Sequence, residues 1–240
     1  MKNIFKILII VFILSAVFLK LHSETPDEIV IEDFTPKLSL KNDGTGSFSP
    51  FMFPKDWNYR SKKVLSTYGI MKENGNYYLK AKSLENGDQI LKKFHADLNS
   101  YPILSWKWRI DKFPGEEKNI DRRMEDDGAV VYVIFSSFLS RKALKYTWSN
   151  FYKKDTFIDY SKGLKIFVLR NSNDKIREWV EEKRNILLDY KKAFGKNPSK
   201  MTAIALMTDS DQTESYAEAD YDDFKVMKLI PVIPDDPSSH

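Results

Sequence analysis

Residues 103–110 read ILSWKWRI and alternate between apolar and polar side chains. Successive side chains of a β-strand point to opposite faces, so this pattern predicts a strand with one apolar and one polar face. The apolar face carries Leu104, Trp106, Trp108 and Ile110, and the polar face carries Ser105, Lys107 and Arg109. Such a strand is typical of an antiparallel sheet that covers a core on one side. We therefore expect both tryptophans to lie in the core rather than to form a sugar-stacking platform.

Short apolar or alternating segments continue on both sides of this strand, separated by turn signals such as Asn74-Gly75. They predict further strands at residues 77–81, 129–135, 164–169 and 201–207. Residues 129–135, AVVYVIF, are apolar on both faces and predict a central strand. The sequence therefore predicts a mainly β fold, an antiparallel β-sandwich.

One inserted helix is predicted near residues 186–194, where apolar residues recur at helical spacing and Gly195 follows as a terminator. Asp174 is a candidate residue for beginning that helix earlier. Residues 178–184 fit either the helix or a preceding strand, because their adjacent apolar residues suit both patterns.

The composition of the 240 residues excludes several classes of protein. There is no cysteine, which excludes disulfide scaffolds, thiolate zinc sites and cysteine nucleophiles. The net charge is +4, from 38 basic and 34 acidic residues, and the first 23 residues hold three lysines and no acid. The remaining 35 basic and 34 acidic residues nearly balance, so nucleic acid is not an expected partner.

The N-terminal segment predicts export. Lys2 and Lys6 precede an apolar run of thirteen residues, shorter than the roughly 20 residues that a spanning helix needs. A secretory signal peptide is the preferred interpretation, and an uncleaved anchor is the alternative. The expected organisation is a signal peptide at 1–23, a single β-sandwich domain at 24–230 and a flexible tail at 231–240, with the domain periplasmic or extracellular.

Four stretches resemble the uncharacterised bacterial family DUF3047: residues 104–109 (LSWKWR), 126–133 (DDGAVVYV), 179–195 and 205–213 (ALMTDSDQT). The resemblance runs from about Phe34 to Lys228, with departures at Lys107, where the family often has arginine, and at Gly128, where alanine is frequent. It implies no activity or catalytic residue, because the family carries none that is agreed.

The two ends of the predicted domain resemble a second group of proteins. Residues 31–34 (IEDF) and 221–226 (YDDFKV) look like the first and last strands of the galactose-binding-like jelly rolls of carbohydrate-binding modules. The resemblance implies a jelly-roll sandwich whose terminal strands lie close together. Acids from both ends would then approach one another, which makes Asp33 and Asp223 candidate calcium ligands. No other cofactor is expected.

The face of the first strand that is turned away from the core carries candidate ligand-binding residues. Lys107 and Arg109 share that face, where an arginine fork could bind a carboxylate or phosphate. A structural ion pair is the alternative for both. Tyr146 and Trp148 are further candidates for an aromatic wall of the same groove, with a place in the core as their alternative.

Four aspartates are candidates for ligand binding or acid chemistry. Asp126 and Asp127 are neighbours in sequence, so they point to opposite faces of an extended chain and form a weak catalytic pair unless one meets an acid such as Asp209. Asp209 and Asp211 follow a predicted buried strand and could bind a hard cation or shape an Asx-turn.

No motif of a known catalytic class is present. His95 is the one histidine between the leader and the tail, and the chain has no Gly-x-Ser-x-Gly elbow, P-loop or dinucleotide fingerprint. The favoured function is a non-catalytic envelope protein that binds a glycan or another envelope component, with carbohydrate the preferred ligand class. The alternatives are a glycan hydrolase that uses the four aspartates and an envelope assembly protein.

Overall fold

Two β-sheets pack face to face in the computed structural model, which describes residues 25–36, 51–115, 126–136, 140–198 and 200–229. The predicted signal peptide and C-terminal tail lie outside the described residues. None of the described helices combines the length and the apolar character needed to cross a bilayer.

The described residues form the following elements in chain order. The strands are β1 (Glu28–Glu32), β2 (Asn58–Tyr59), β3 (Tyr68–Glu73), β4 (Asn76–Leu84), β5 (Ile90–Ala96), β6 (Ile103–Lys112), β7 (Ala129–Ser136), β8 (Arg141–Ser149), β9 (Phe157–Ile158), β10 (Leu164–Asn171), β11 (Val180–Asn185), β12 (Met201–Met207) and β13 (Tyr216–Met227). The helices are α1 (Val64–Thr67) and α2 (Ile186–Phe194).

Sheet A has the strand order β11-β6-β13-β4-β3, with β1 also paired to β13, and sheet B has the order β2-β5-β12-β7-β8-β10-β9. The chain passes from one sheet to the other after β1, β2, β4, β5, β6, β10, β11 and β12, so many neighbours within a sheet are distant in sequence, as in a jelly roll. The predicted β-sandwich of jelly-roll type is confirmed. The pairing of β1 with β13 also brings the terminal strands together.

One pair of strands departs from the antiparallel pattern, because β8 and β10 run parallel. A parallel neighbour requires a connection that returns the chain to the starting edge. Residues 150–163 supply this connection, and they include β9, which pairs antiparallel with β10.

The core lies between the sheets, where the apolar face of β6 meets the inner face of β8. Trp106 and Trp108 are fully buried, as predicted. The ring of Trp106 lies 5.5 Å from that of Tyr146, and the ring of Trp108 lies 5.8 Å from that of Trp148. Strand β7 is the middle strand of sheet B, which confirms that prediction.

The predicted helix is α2, and residues 180–185 form strand β11 rather than its first turns. The Asn185 side chain accepts a hydrogen bond from the Leu188 N–H and caps the helix, which ends at Gly195 in the left-handed region with φ 68°. Asp174 does not begin the helix. It accepts a hydrogen bond from the Asn171 N–H and forms an ion pair with Lys154 instead.

Candidate functional site

An open groove of about 530 Å³ crosses the outer face of sheet B. Side chains of β2, β5, β7, β8 and β10 line it, and its apolar floor is formed by Leu91, Ile134, Ala143 and Leu164. A solvated sheet face is normally polar. The apolar outer face of the middle strands is therefore the feature that distinguishes this surface.

Strand register explains why these residues meet. Leu91 of β5 lies beside Ala205 of β12, and Ala205 lies beside Tyr132 of β7. In the next row Ala203 lies beside Ile134, which pairs with Ala143. Because β12 contributes only alanines to the outer face at these positions, the surface is lowest there and the larger side chains of neighbouring strands form the walls.

Aromatic and polar side chains surround this floor. Tyr59 is 41% exposed, and Tyr132 is partly buried. Asn58 and Gln89 add exposed amides beside them. The groove thus combines tyrosine rings, which can stack on an apolar ligand face, with hydrogen-bonding groups at its edge.

A second hollow of about 300 Å³ extends the groove along the strands. It shares Leu91, Ile134 and Arg141 with the first and adds Lys93 and His95 of β5. The two hollows form one elongated depression, which suits an extended ligand better than a compact one.

Three aspartates meet at the edge of sheet B and form what we call the acidic cluster: Asp126, Asp209 and Asp211. One carboxylate oxygen from each lies within 4.8 Å of the others. Asp126 precedes β7, and the other two follow β12, the antiparallel neighbour of β7. The sequence left open whether Asp126 meets Asp209, and the pairing of β7 with β12 brings the two together.

Hydrogen bonds from the loop after β12 hold the buried carboxylate of Asp126. It accepts from the backbone N–H of Gln212 at 3.2 Å and from that of Thr213 at 2.7 Å. The Thr213 hydroxyl donates a third bond at 2.6 Å. These three donors fix the position of the Asp126 carboxylate at the base of the cluster.

The position of Asp209 is less favourable for a charge. Burial raises the pKa of its carboxyl, and the neighbouring Asp126 and Asp211 raise it further, to about 8. Gly87 crosses close by, since a Cβ on this residue would lie 2.6 Å from Asp209 Oδ1. Asp211 is exposed, so the cluster combines the buried and hydrogen-bonded Asp126, the buried Asp209 with its raised pKa, and a solvent-exposed carboxylate.

The acidic cluster adjoins one end of the groove. Asp127 forms a 2.7 Å ion pair with Lys145, and Lys145 lies opposite Tyr132 in the sheet register. Burial is the main cause of a raised pKa at Tyr132, and the charges of Asp127 and Asp209 contribute to the increase. The loop that carries Gly87 reaches the groove two residues later, at Gln89.

Three carboxylate oxygens in such proximity are ligands that a hard cation such as Ca²⁺ prefers. A complete coordination sphere of six to eight oxygens would need water or backbone carbonyls in addition. Asp209 could also donate or accept a proton near neutral pH, because its pKa is raised to about 8.

Tyr146 and Trp148 were predicted to line an exposed groove, and this prediction is wrong. Both are fully buried, because they occupy the inward positions of β8. The Tyr146 hydroxyl donates to Asp189 at 2.8 Å, and the Trp148 indole N–H donates to the Asn171 carbonyl. Their role is to fill the core.

Lys107 and Arg109 lie on the outer face of sheet A, away from the groove. Arg109 Nε is 2.6 Å from Asp220 Oδ2, and its Nη1 is 3.0 Å from Glu73. Its guanidinium also lies 4.7 Å from the Trp179 ring centroid. These internal partners favour the structural ion pair that was the alternative for Arg109.

Lys107 forms a surface ion pair with Asp223 at 2.7 Å, which removes Asp223 from the predicted calcium site. Asp33 accepts a hydrogen bond from the Thr35 N–H in its own turn. Neighbouring Glu32 pairs with Lys92. Among the described residues, the acidic cluster is the group of three acids that lie close enough together to hold a metal ion. The calcium site predicted at the terminal strands is therefore not assembled.

Sequence reasoning missed the groove itself. One signal pointed to it, because residues 129–135 are apolar on both faces and only one face of a sandwich strand meets the core. Tyr132 and Ile134 are the outward residues of that strand. Tyr59 and Gln89 carried no such signal, since both follow turn segments of ordinary composition.

Solved structures of similar fold include carbohydrate-binding modules. The family 11 module of a cellulosomal cellulase of Clostridium thermocellum is 8% identical, with a TM-score of 0.43 over 87% of this chain and 98% of that chain. The family 30 module of another cellulosomal cellulase of that organism is 13% identical, with a TM-score of 0.41 over 76% and 95%. Likeness at this level identifies no ligand for this chain.

Comparison with curated proteins finds no match. The family model described as "Protein of unknown function (DUF3047)" matches residues 55–225, within the range that the sequence resemblance predicted. This match covers more than half of the chain, and the protein belongs to the DUF3047 family.

Proposed function

We propose that this protein is a non-catalytic binding protein of the cell envelope that holds a carbohydrate chain in the groove on sheet B. The observation that carries the proposal is the apolar floor of the groove, with Tyr59 and Tyr132 beside it and the amides of Asn58 and Gln89 at its edge. Sugar rings have apolar faces and polar edges, so a tyrosine platform with hydrogen-bonding groups matches both surfaces.

The shape of the groove supports a chain rather than a single sugar. The two hollows share residues and together cross six strands of sheet B. An open groove allows a polymer to enter and leave at both ends, whereas a closed cavity would suit a small free ligand.

The place of action in this proposal is the periplasm or the cell exterior. It rests on the predicted signal peptide at residues 1–23. Sequencing the N-terminus of exported protein would test it, with a mature end near Glu24 expected. An N-terminus at Met1 in a membrane pellet would support the retained anchor instead.

The experiment for the binding function is a glycan array followed by calorimetry on any glycan that binds, with the products of incubation analysed in parallel. Tyr59→Ala should weaken binding by about tenfold, which corresponds to about 1.4 kcal/mol of lost stacking. Tyr59 is exposed, so the melting temperature should hold. Tyr216→Ala, on sheet A, is the matched control and should bind normally.

A second function has one observation in its favour, the raised pKa of Asp209 beside the carboxylate of Asp211. A carboxyl with a raised pKa near a second carboxyl is one feature of glycan hydrolases. In this alternative Asp209 is the general acid, because it has the raised pKa and keeps 7% exposure, whereas Asp126 and Asp127 are 0% and 1% exposed. Shortened products from a bound glycan, lost in Asp209→Asn, would establish the hydrolase and overturn the non-catalytic proposal.

A further inference from the structure

The groove on sheet B carries positive charge without an accompanying acid. Its lining and that of its extension include the basic residues Arg60, Lys93, His95, Arg141 and Lys142. Among the described residues, neither lining contains an aspartate or a glutamate. The charge is local, because the whole chain holds 38 basic and 34 acidic residues.

The cations of this groove differ from most other basic side chains near the sheets. Arg109 and Lys145 are each held by a carboxylate within 3 Å. No described carboxylate forms an ion pair with Arg60, Lys93 or Arg141, and all three are exposed. Their charges therefore face the solvent of the groove.

Lys142 is the exception within the lining. Its Nζ lies 4.1 Å from the centroid of the Phe194 ring, and burial lowers the pKa of its amine. It therefore faces α2 rather than the groove. Arg141 and Lys93 project from the outer face of sheet B instead, because they follow the alternation of Ala143 and Leu91.

The positions of these cations suggest a long ligand. Arg60 follows β2 and Arg141 begins β8, four strand spacings apart in sheet B. At about 4.8 Å a spacing, the separation is about 19 Å. A ligand that reaches both is longer than one sugar ring.

The acidic cluster makes the two ends of the groove differ in charge. It lies beyond Tyr132 and the Asp127–Lys145 ion pair, at the opposite end of β7 from Arg141. An anionic ligand group would be repelled at that end and attracted near Lys93 and Arg141. An arginine fork binds carboxylate and sulfate oxygens through two parallel hydrogen bonds.

We propose that the groove binds an anionic polysaccharide, a chain that carries carboxylate or sulfate groups, with those groups at Lys93 and Arg141. This inference rests on the proposed carbohydrate-binding function and names its ligand class. A neutral chain would leave three exposed cations of the groove without partners.

The test compares charged and uncharged forms of the same backbone by calorimetry or affinity electrophoresis. Polygalacturonate against its methyl ester tests carboxylates, and dextran sulfate against dextran tests sulfates. We expect one charged form to bind at least tenfold more tightly than its neutral form, with binding weakened as salt rises from 50 to 500 mM. Arg141→Gln should lower the affinity several-fold, and Lys82→Gln, on sheet A, should not.

The outcomes separate the two proposals. Equal binding of charged and neutral forms, or binding of neutral glycans alone, would overturn the anionic ligand and leave carbohydrate binding in place. An affinity for dextran sulfate that falls equally in Arg141→Gln and Lys82→Gln would also overturn it, because it would reflect general attraction to a polyanion. Absence of binding to every charged and neutral glycan would overturn the carbohydrate function itself.

Discussion

The contribution of Asp209 to the stability of this protein should fall as the pH rises from about 4 to about 8, and Asp209→Asn should remove that contribution while leaving the smaller ones of Asp220 and Asp222, whose pKa values burial raises to about 6. In the unfolded chain the carboxyl of Asp209 loses its proton near its ordinary pKa of 3.8, whereas in the folded protein burial and two neighbouring acids raise the pKa to about 8. Between these values the folded state binds more protons than the unfolded state. The contribution of Asp209 is therefore fully present below pH 4 and is lost as the pH approaches 8.

The magnitude follows from the size of the pKa shift. Each pKa unit corresponds to about 1.4 kcal/mol, so the whole interval between the two pKa values amounts to roughly 6 kcal/mol. Asp211 is exposed and can turn into water when Asp209 ionises, which relieves part of the repulsion. We expect Asp209 to account for a loss of about 2–3 kcal/mol in the free energy of unfolding between pH 5 and pH 8.5.

Urea denaturation followed by tryptophan fluorescence measures this difference. At pH 5 wild type and Asp209→Asn should have similar free energies of unfolding. At pH 8.5 the variant should be the more stable by about 2–3 kcal/mol. Asp211→Asn is the matched control and should show a smaller gain, because it removes only one of the repelling charges. Parallel stability curves for wild type and Asp209→Asn across this range would refute the reasoning.

Three further predictions concern the cluster, the core and sheet A. Calcium at about 100 times its dissociation constant should stabilise the protein by roughly 2.7 kcal/mol if the acidic cluster binds it, and identical melting with chelator and with calcium would exclude a stabilising site. Trp106→Ala should lower the free energy of unfolding by roughly 3–5 kcal/mol because it empties a fully buried position; a variant of unchanged stability in urea would place this residue outside the core. Arg109→Ala should cost roughly 1–3 kcal/mol, because the buried Asp220 loses its guanidinium partner but keeps its ion pair with Lys80; glycan affinity measured on the folded variant should remain normal, whereas lost affinity would assign the ligand to sheet A.

The elements of this fold could be predicted because their signals are local. The alternation in residues 103–110 identifies β6 and its buried tryptophans within eight residues of sequence. Helix α2 is identified by periodicity and by Gly195. Strand β11 could not be separated from a helix, because its pairing with β6 is a tertiary contact that no local pattern contains.

The groove could not be predicted in the same way, because its residues come from strands that are distant in the chain. Tyr59, Leu91 and Ile134 meet only after β2, β5, β12 and β7 have aligned. For Arg109, the local pattern predicts the position but not the partners. Alternation placed it correctly on the outer face of β6, but the carboxylates that occupy its guanidinium come from β3 and β13.

The acidic cluster follows from one feature of the topology, the antiparallel pairing of β7 and β12. In such a pair the beginning of one strand lies beside the end of the other, and here Val130 of β7 pairs with Met207 of β12. Asp126 stands just before the one strand and Asp209 just after the other, so they must meet once the register is fixed. The outward side chains of β7 then begin at this cluster and continue through Tyr132 to Ile134 in the groove. Strand β7 therefore connects the acidic cluster, where the pKa of Asp209 is raised, with the groove that we propose as the glycan site. Glycan affinity should for this reason be measured across the pH range in which Asp209 changes its protonation state.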